Sequence, residues 1–236
     1  FRLVNDNAII NRLGFNNDGV DKITDRLRKK GNIIIGGNIG KNKVTPNEKA
    51  KDDYLICFKA LYDNVDYFAV NVSSPNTPNL RDLQNINDLR EILSPLIKEN
   101  KKRESKPILI KISPDLIDDD IKDLVDMALD LKIDGIITSN TTIKRNNLKS
   151  KKKLTNETGG LSGQPLNNRS TDIIRLIHEY SNKKLPIIGV GGIMTTEDAL
   201  DKINAGASLI QLYTGFIYNG PSFARNINKE IIKSLN

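Results

Sequence analysis

The sequence predicts an α/β fold of parallel strands alternating with helices, and within that class a (βα)8 TIM barrel of which this chain carries about six βα units. Three observations lead there. Six short apolar runs recur along the chain, helical patterns lie between them, and polar or glycine-rich residues gather where the runs end. Strands covered on both faces read as near-continuous Ile, Val and Leu runs. Their alternation with helices favours a parallel sheet.

The runs are residues 33–37, 67–72, 108–112, 135–139, 186–190 and 209–213. Helices are expected over 48–61, 87–98, 117–131, 171–180, 196–204 and 222–232. In the third of these, Ile121, Leu124, Val125, Ala128, Leu129 and Leu131 fall largely on one face. Asp118, Asp119 and Asp120 suit its first turn, where the helix dipole favours negative charge. Pro95 lacks a backbone donor and predicts a kink in the second helix. A closed barrel needs two more units, and an open doubly wound sheet needs none. The residues at the strand ends favour the barrel. No repeat or linker divides the chain, so residues 1–236 read as one domain.

The composition, 38% hydrophobic and 28% charged, is that of a globular chain rather than a disordered one. The net charge of +7 admits nucleic acid, an anionic membrane or an anionic substrate as partner. The lysines are scattered, however, and the longest run, Lys151-Lys152-Lys153, sits in a stretch that reads as a loop. The one cysteine, Cys57, reads as a small buried apolar residue inside a helix. The one histidine, His178, reads as a helix-surface or core residue. Ser-His-Asp catalysis and metal sites built on several Cys or His are thereby disfavoured, and no metal is expected. No run approaches the roughly 20 apolar residues of a membrane span, and no signal peptide is visible. The chain opens at Phe1 without Met, which raises the expectation of a segment upstream.

The string Asn71-Val72-Ser73-Ser74-Pro75-Asn76-Thr77-Pro78 directly follows a strand. In a barrel that is the C-terminal rim, where active-site groups gather. A Pro-rich turn with Asn caps would explain part of the string, but not all of it. Lys111 lies inside the apolar run 108–112, a costly place for a cation without an anionic partner. Ser139, Asn140, Thr141 and Thr142 end the fourth run. Gly191-Gly192 and Gly215 follow the last two, where barrels commonly bind phosphate through backbone N–H groups. The stretch Thr158-Gly159-Gly160-Leu161-Ser162-Gly163 reads either as a mobile or close-approach loop or as a plain flexible one.

Five strings together resemble the dihydroorotate dehydrogenase family, nearly end to end and in the family's order. They are Asn11-Arg12-Leu13-Gly14-Phe15-Asn16-Asn17, Asn38-Ile39-Gly40-Lys41-Asn42-Lys43, the Asn71–Pro78 string, Thr158–Gly163 and Ile187-Ile188-Gly189-Val190-Gly191-Gly192. The resemblance implies FMN-dependent oxidation of dihydroorotate to orotate, in pyrimidine synthesis. It implies Ser74 as the catalytic base. The family's cytosolic class has Cys at that place, so Ser74 implies the membrane-associated class that passes electrons to a quinone.

By the same resemblance Asn11, Arg12, Leu13, Gly14, Phe15, Asn71, Asn76, Asn140 and Thr141 belong to the substrate site. Asn38, Asn71, Lys111, Ser139, Gly163, Gly192, Tyr213 and Thr214 belong to the FMN site, and Thr77 with a water could relay the proton of Ser74. The expected partners are dihydroorotate and orotate, a quinone reached through an N-terminal extension that this chain lacks, and a membrane surface. Nucleic acid is not expected. The expected location is peripheral, on the cytoplasmic face of a bacterial inner membrane or else the mitochondrial inner membrane. Asn79 departs from the family, which usually has Gly after the second proline, and puts the loop's backbone in doubt. Two other readings stay open: a flavin barrel that acts on tRNA dihydrouridine, and an inactive fragment.

Overall fold

The computed structural model describes residues 1–234. In chain order it contains β1 (Arg2–Leu3), β2 (Ala8–Asn11), α1 (Val20–Leu27), β3 (Gly36–Ile39), α2 (Ala50–Leu61), β4 (Tyr67–Asn71), α3 (Ile86–Asn100), β5 (Ile108–Ile112) and α4 (Asp118–Asp130). There follow β6 (Gly135–Thr138), α5 (Lys152–Thr155), β7 (Gly160–Gly163), α6 (Asn167–Tyr180), β8 (Ile187–Val190), α7 (Thr196–Asn204), β9 (Leu209–Gln211), α8 (Thr214–Asn219) and α9 (Ser222–Ser234).

Six strands form one parallel sheet in the order β3-β4-β5-β6-β8-β9. Spatial order follows chain order without the reversal that defines a doubly wound sheet. The sheet is therefore the curled wall of a (βα)8 barrel, with six of its strands present. Strand alternation sorts the side chains. Phe68, Val70, Ile108, Ile110, Ile136 and Ile187 point outward into the main core beneath the helices. Ala69, Leu109 and Ile137 form a smaller cluster on the inner face, with Ile188 and Val190 against it. Each fully buried Ile, Val or Phe contributes roughly 1.5–3 kcal/mol. The same two-residue period puts Lys111, neighbour of Leu109, on the inner face.

The first expected strand is displaced. Ile33 and Ile34 are exposed, Ile34 by 83%, and the ladder starts at Gly36 opposite Tyr67. Asp66 anchors that start. Its N–H donates to the Ile35 carbonyl at 2.7 Å and its carboxylate accepts from the Ile35 N–H at 2.7 Å. Among the described residues β3 and β9 each pair on one side only.

Other expectations are corrected. Residues 152–155 form a short helix, α5, rather than loop. α3 runs through Pro95 as one element, as a helix kinked at a proline also does, and Leu89, Ile92, Leu93 and Leu96 bury its face. Cys57 is only partly buried. α7 begins where expected, since Thr195 and Asp198 cap it reciprocally.

A second, antiparallel sheet, β1-β2-β7, was not visible in the sequence. Its third strand is the glycine-rich stretch 160–163, fully paired and buried. The close-approach reading of that stretch holds, in a strand rather than a loop. A Cβ on Gly160 would stand 2.0 Å from Thr141 Oγ1, so only glycine lets β7 close against the rim of the barrel. No described helix is long and apolar enough to cross a membrane.

Candidate active site

A cavity of about 380 Å³ opens at the C-terminal ends of the inner strands. Nine of the expected residues line it: Asn11, Lys111, Ser139, Asn140, Thr141, Gly163, Gly192, Tyr213 and Thr214. Three observations describe what it could hold. First, Lys111 has no carboxylate within 4 Å among the described residues, and burial pushes its pKa down. Second, Ser139 Oγ and Thr141 Oγ1 are buried and make no hydrogen bond among the described residues. Buried polar groups are ordinarily paired. Third, Gly191 and Gly192, at φ +121° and +74°, present bare backbone to the cavity. A ligand with polar edges and negative charge would satisfy all three. Ser162, inside the glycine-rich string, also lines the wall, and its Oγ accepts from Thr214 Oγ1 at 2.8 Å.

The Ser74 loop adjoins this cavity without lining it. Ser74 is 7% exposed, and its Oγ accepts from the Asn76 N–H at 3.3 Å. No hydrogen bond joins it to Thr77, which is also buried. An amide network ties the loop to the cavity. Asn140 Nδ2 donates to Asn71 Oδ1 at 3.3 Å and to Ser73 Oγ at 3.0 Å. Asn76 Nδ2 donates to Asn11 Oδ1 at 3.2 Å. Gly14 packs over Asn76, where an added Cβ would stand 3.3 Å from the Asn76 carbonyl.

Asn38 and Phe15 lie on a second cavity of about 490 Å³ between α1 and β3, which Gly14 also borders. Arg12 and Leu13 are not brought into the site by their side chains. Arg12 pairs at 2.8 Å with Glu157 on the surface, and Leu13 is exposed. Asn79 resolves the doubt about the loop's backbone. Its φ of +56° is left-handed. Asn is the residue that most readily replaces Gly there.

Two further groups, to which the sequence assigned no role, are Arg81 and Asp115. The guanidinium bonds the Asp115 carboxylate at 2.8 Å. Burial pushes the Asp115 pKa up, but hydrogen bonds from Thr142, Ile143 and Arg81 outweigh it and hold the carboxyl below its usual range. Arg81 follows the recognised string by three residues and carries no pattern of its own.

Fold and cavity together define an enzyme-type α/β barrel whose site sits at the carboxyl ends of parallel strands. Comparison with known proteins narrows this. The family model described as "Dihydroorotate dehydrogenase" matches residues 1–235. A dihydroorotate dehydrogenase (quinone) of Christiangramia forsetii is 57% identical, with 99% of this chain and 68% of the relative covered. One of Trichodesmium erythraeum is 49% identical, covering 100% and 65%. The crystal structure of Eimeria tenella DHODH in complex with ferulenol superposes with a TM-score of 0.93 at 39% identity, covering 100% of this chain and 70% of that one. The chain belongs to the dihydroorotate dehydrogenase family, a family of oxidoreductases, and it spans about two thirds of the length of these curated relatives. That membership decides against the tRNA-modifying alternative.

Proposed function

We propose that this chain is the larger part of a catalytic barrel for oxidation of dihydroorotate to orotate, with FMN as cofactor and a quinone as final acceptor. The observation that carries the reading is the union of an amide cluster with a cationic cavity. Asn11, Asn71, Asn76 and Asn140 converge beside Ser74, and Lys111 stands in the adjoining cavity without a counter-ion among the described residues. A planar, amide-rich ring with one carboxylate suits the asparagines. Ser139, Thr141 and Lys111 would take the polar edge of the flavin. Gly163, Gly192, Tyr213 and Thr214 would take its phosphate and chain.

Bound FMN would supply the redox chemistry by accepting the hydride that leaves C6 of the substrate. The chain's own part is to bind, orient and move a proton. Ser74 takes the proton from C5, and its buried position keeps bulk water from competing. Asn71 and Asn140, locked together, orient the ring. Lys111 supports negative charge beside it. Because quinones dissolve in lipid, the acceptor half-reaction puts the protein at a membrane surface, and we place it on the cytoplasmic face of a bacterial inner membrane.

The test is anaerobic mixing of the purified yellow protein with dihydroorotate. The flavin band should bleach, and a soluble quinone analogue should restore it much faster than fumarate or NAD. A band that dihydroorotate leaves unchanged refutes the reading, and preferential reoxidation by fumarate or NAD refutes its quinone half.

A further inference from the structure

Arg81 is the first group outside the recognised strings that reaches under the catalytic loop. Its three terminal contacts go to three different segments. Nε donates to the Ser73 carbonyl at 3.1 Å, Nη1 to Asp115 Oδ2 at 2.8 Å, and Nη2 to the Thr141 carbonyl at 2.7 Å. The Ser73 carbonyl belongs to the peptide that carries the Ser74 nitrogen. The Thr141 carbonyl belongs to the segment that carries Asn140 and the unpaired Thr141 hydroxyl. One rigid, planar cation thus grips the loops after β4 and β6 together. A guanidinium is suited to this because its donors have a fixed fork geometry.

Asp115 completes the device from the loop after β5. Its carboxylate accepts from Arg81, from the Thr142 hydroxyl and from the Ile143 N–H, the last at 3.0 Å. Thr142 in turn pairs by two backbone bonds with Leu161 of β7, at 3.0 and 2.8 Å. The side chains of Arg81 and Asp115 are 19% and 14% exposed. Burying an ion pair this far is a weak route to stability, since apolar packing could join the loops as well. What apolar packing lacks is direction. Two carbonyls on different loops must point at one group, and only a fixed set of donors enforces that.

We infer that the Arg81–Asp115 pair is a positioning clamp that sets Ser74 against the Asn140–Thr141 segment, and so sets the base against the substrate ring. Arg81 lines neither of the two cavities. It acts through Ser74. The inference rests on the proposed dihydroorotate reaction and extends it.

The experiment is a double-mutant cycle on flavin reduction by dihydroorotate, measured in single turnovers of the flavin-loaded enzyme and expressed per bound flavin. Arg81→Ala should slow reduction about 100-fold, the typical cost of an ångström of misplacement. Arg81→Lys, which keeps the charge but loses the fork, should recover only part. In a Ser74→Ala background, Arg81→Ala should add less than about a threefold loss, because the clamp then has no base to position. Hydrogen exchange should rise together at residues 72–79 and 140–145, since one group holds both.

The clamp is overturned by parental reduction in Arg81→Ala, by losses that multiply with those of Ser74→Ala, or by exchange rising in one segment alone. Loss of flavin and of the melting transition with an unchanged rate per bound flavin also overturns it, because that describes a merely structural pair. Should Arg81→Ala fail to fold, Arg81→Lys and Asp115→Asn carry the same cycle. Parental enzyme that dihydroorotate does not reduce refutes the proposed function instead, and so the two failures are distinguishable.

Discussion

Asn71 and Lys111 are ladder partners on adjacent parallel strands, β4 and β5, so their side chains rise at one level of the barrel's inner face. Asn71 is drawn into the amide network of Ser73 and Asn140. Lys111 is left facing the cavity with no carboxylate within reach among the described residues. The pair thus marks the border between the substrate side and the cofactor side of the proposed site.

Lys111→Met tests the cofactor side. The cavity should lose its attraction for an anionic ligand, and FMN should dissociate at least about tenfold more readily, some 1.4 kcal/mol, or become harder to reduce. Fluorescence titration with FMN and a reduction potential measure the two outcomes. If both stay at parental values, Lys111 has another role.

Ser74→Ala tests the substrate side. General base catalysis typically contributes 100-fold or more. Flavin reduction by dihydroorotate should fall by about that factor while bound flavin per chain is unchanged. Near-parental single-turnover reduction would remove Ser74 from the mechanism.

Asn79 tests the loop backbone. At φ +56° a glycine costs nothing sterically, whereas a β-branched residue is strained. Asn79→Gly should leave stability within about 0.5 kcal/mol, and Asn79→Val should lower it by roughly 1–2 kcal/mol. Urea unfolding monitored by far-UV circular dichroism distinguishes them. Equal midpoints for both variants would show that the loop does not depend on this conformation.

Lys202 tests a buried charge outside the cavity lining. It is 0% exposed, and its Nζ donates to the Asn167 carbonyl at 2.8 Å and to the Thr171 hydroxyl. Burial lowers its pKa to about 8, against the upward pull of Asp198, Asp201 and Asp172. The unfolded chain, with a pKa near 10.4, therefore binds more protons than the folded one between those values. Stability must rise as pH increases through that window. From pH 7 to 9.5 the gain should be about 2 kcal/mol. Lys202→Met should abolish that increment relative to the parent. Identical pH–stability slopes for the two would show that Lys202 does not titrate in the window.

Much of the fold was legible because strands covered on both faces leave near-continuous apolar runs between the helical patterns. The runs around Phe68, Ile110, Ile136 and Ile187 all became strands of the sheet. The signal failed at the edge. Ile33-Ile34 has the right composition for a strand, but pairing starts only where Asp66 anchors Ile35. It failed again in the second sheet, where glycine residues replace the apolar pattern and β7 is held by close backbone approach. In the candidate site, Ser139, Asn140, Thr141 and Lys111 were legible as polar residues at the ends of apolar runs. Arg81 and Asp115 were not, because an ion pair between residues 34 positions apart leaves no local pattern.

By itself, then, the sequence determined the alternation of strands and helices, the place of Lys111 within an apolar run and the chemical character of the rim, since these follow from local composition. Only the tertiary structure decided that Arg12 turns away to Glu157, that the glycine-rich stretch is a strand, and that one guanidinium joins the Ser73 and Thr141 carbonyls. Those outcomes depend on which distant backbone groups come within hydrogen-bond reach. That distance is set by how the whole sheet curls, and no window of neighbouring residues contains it.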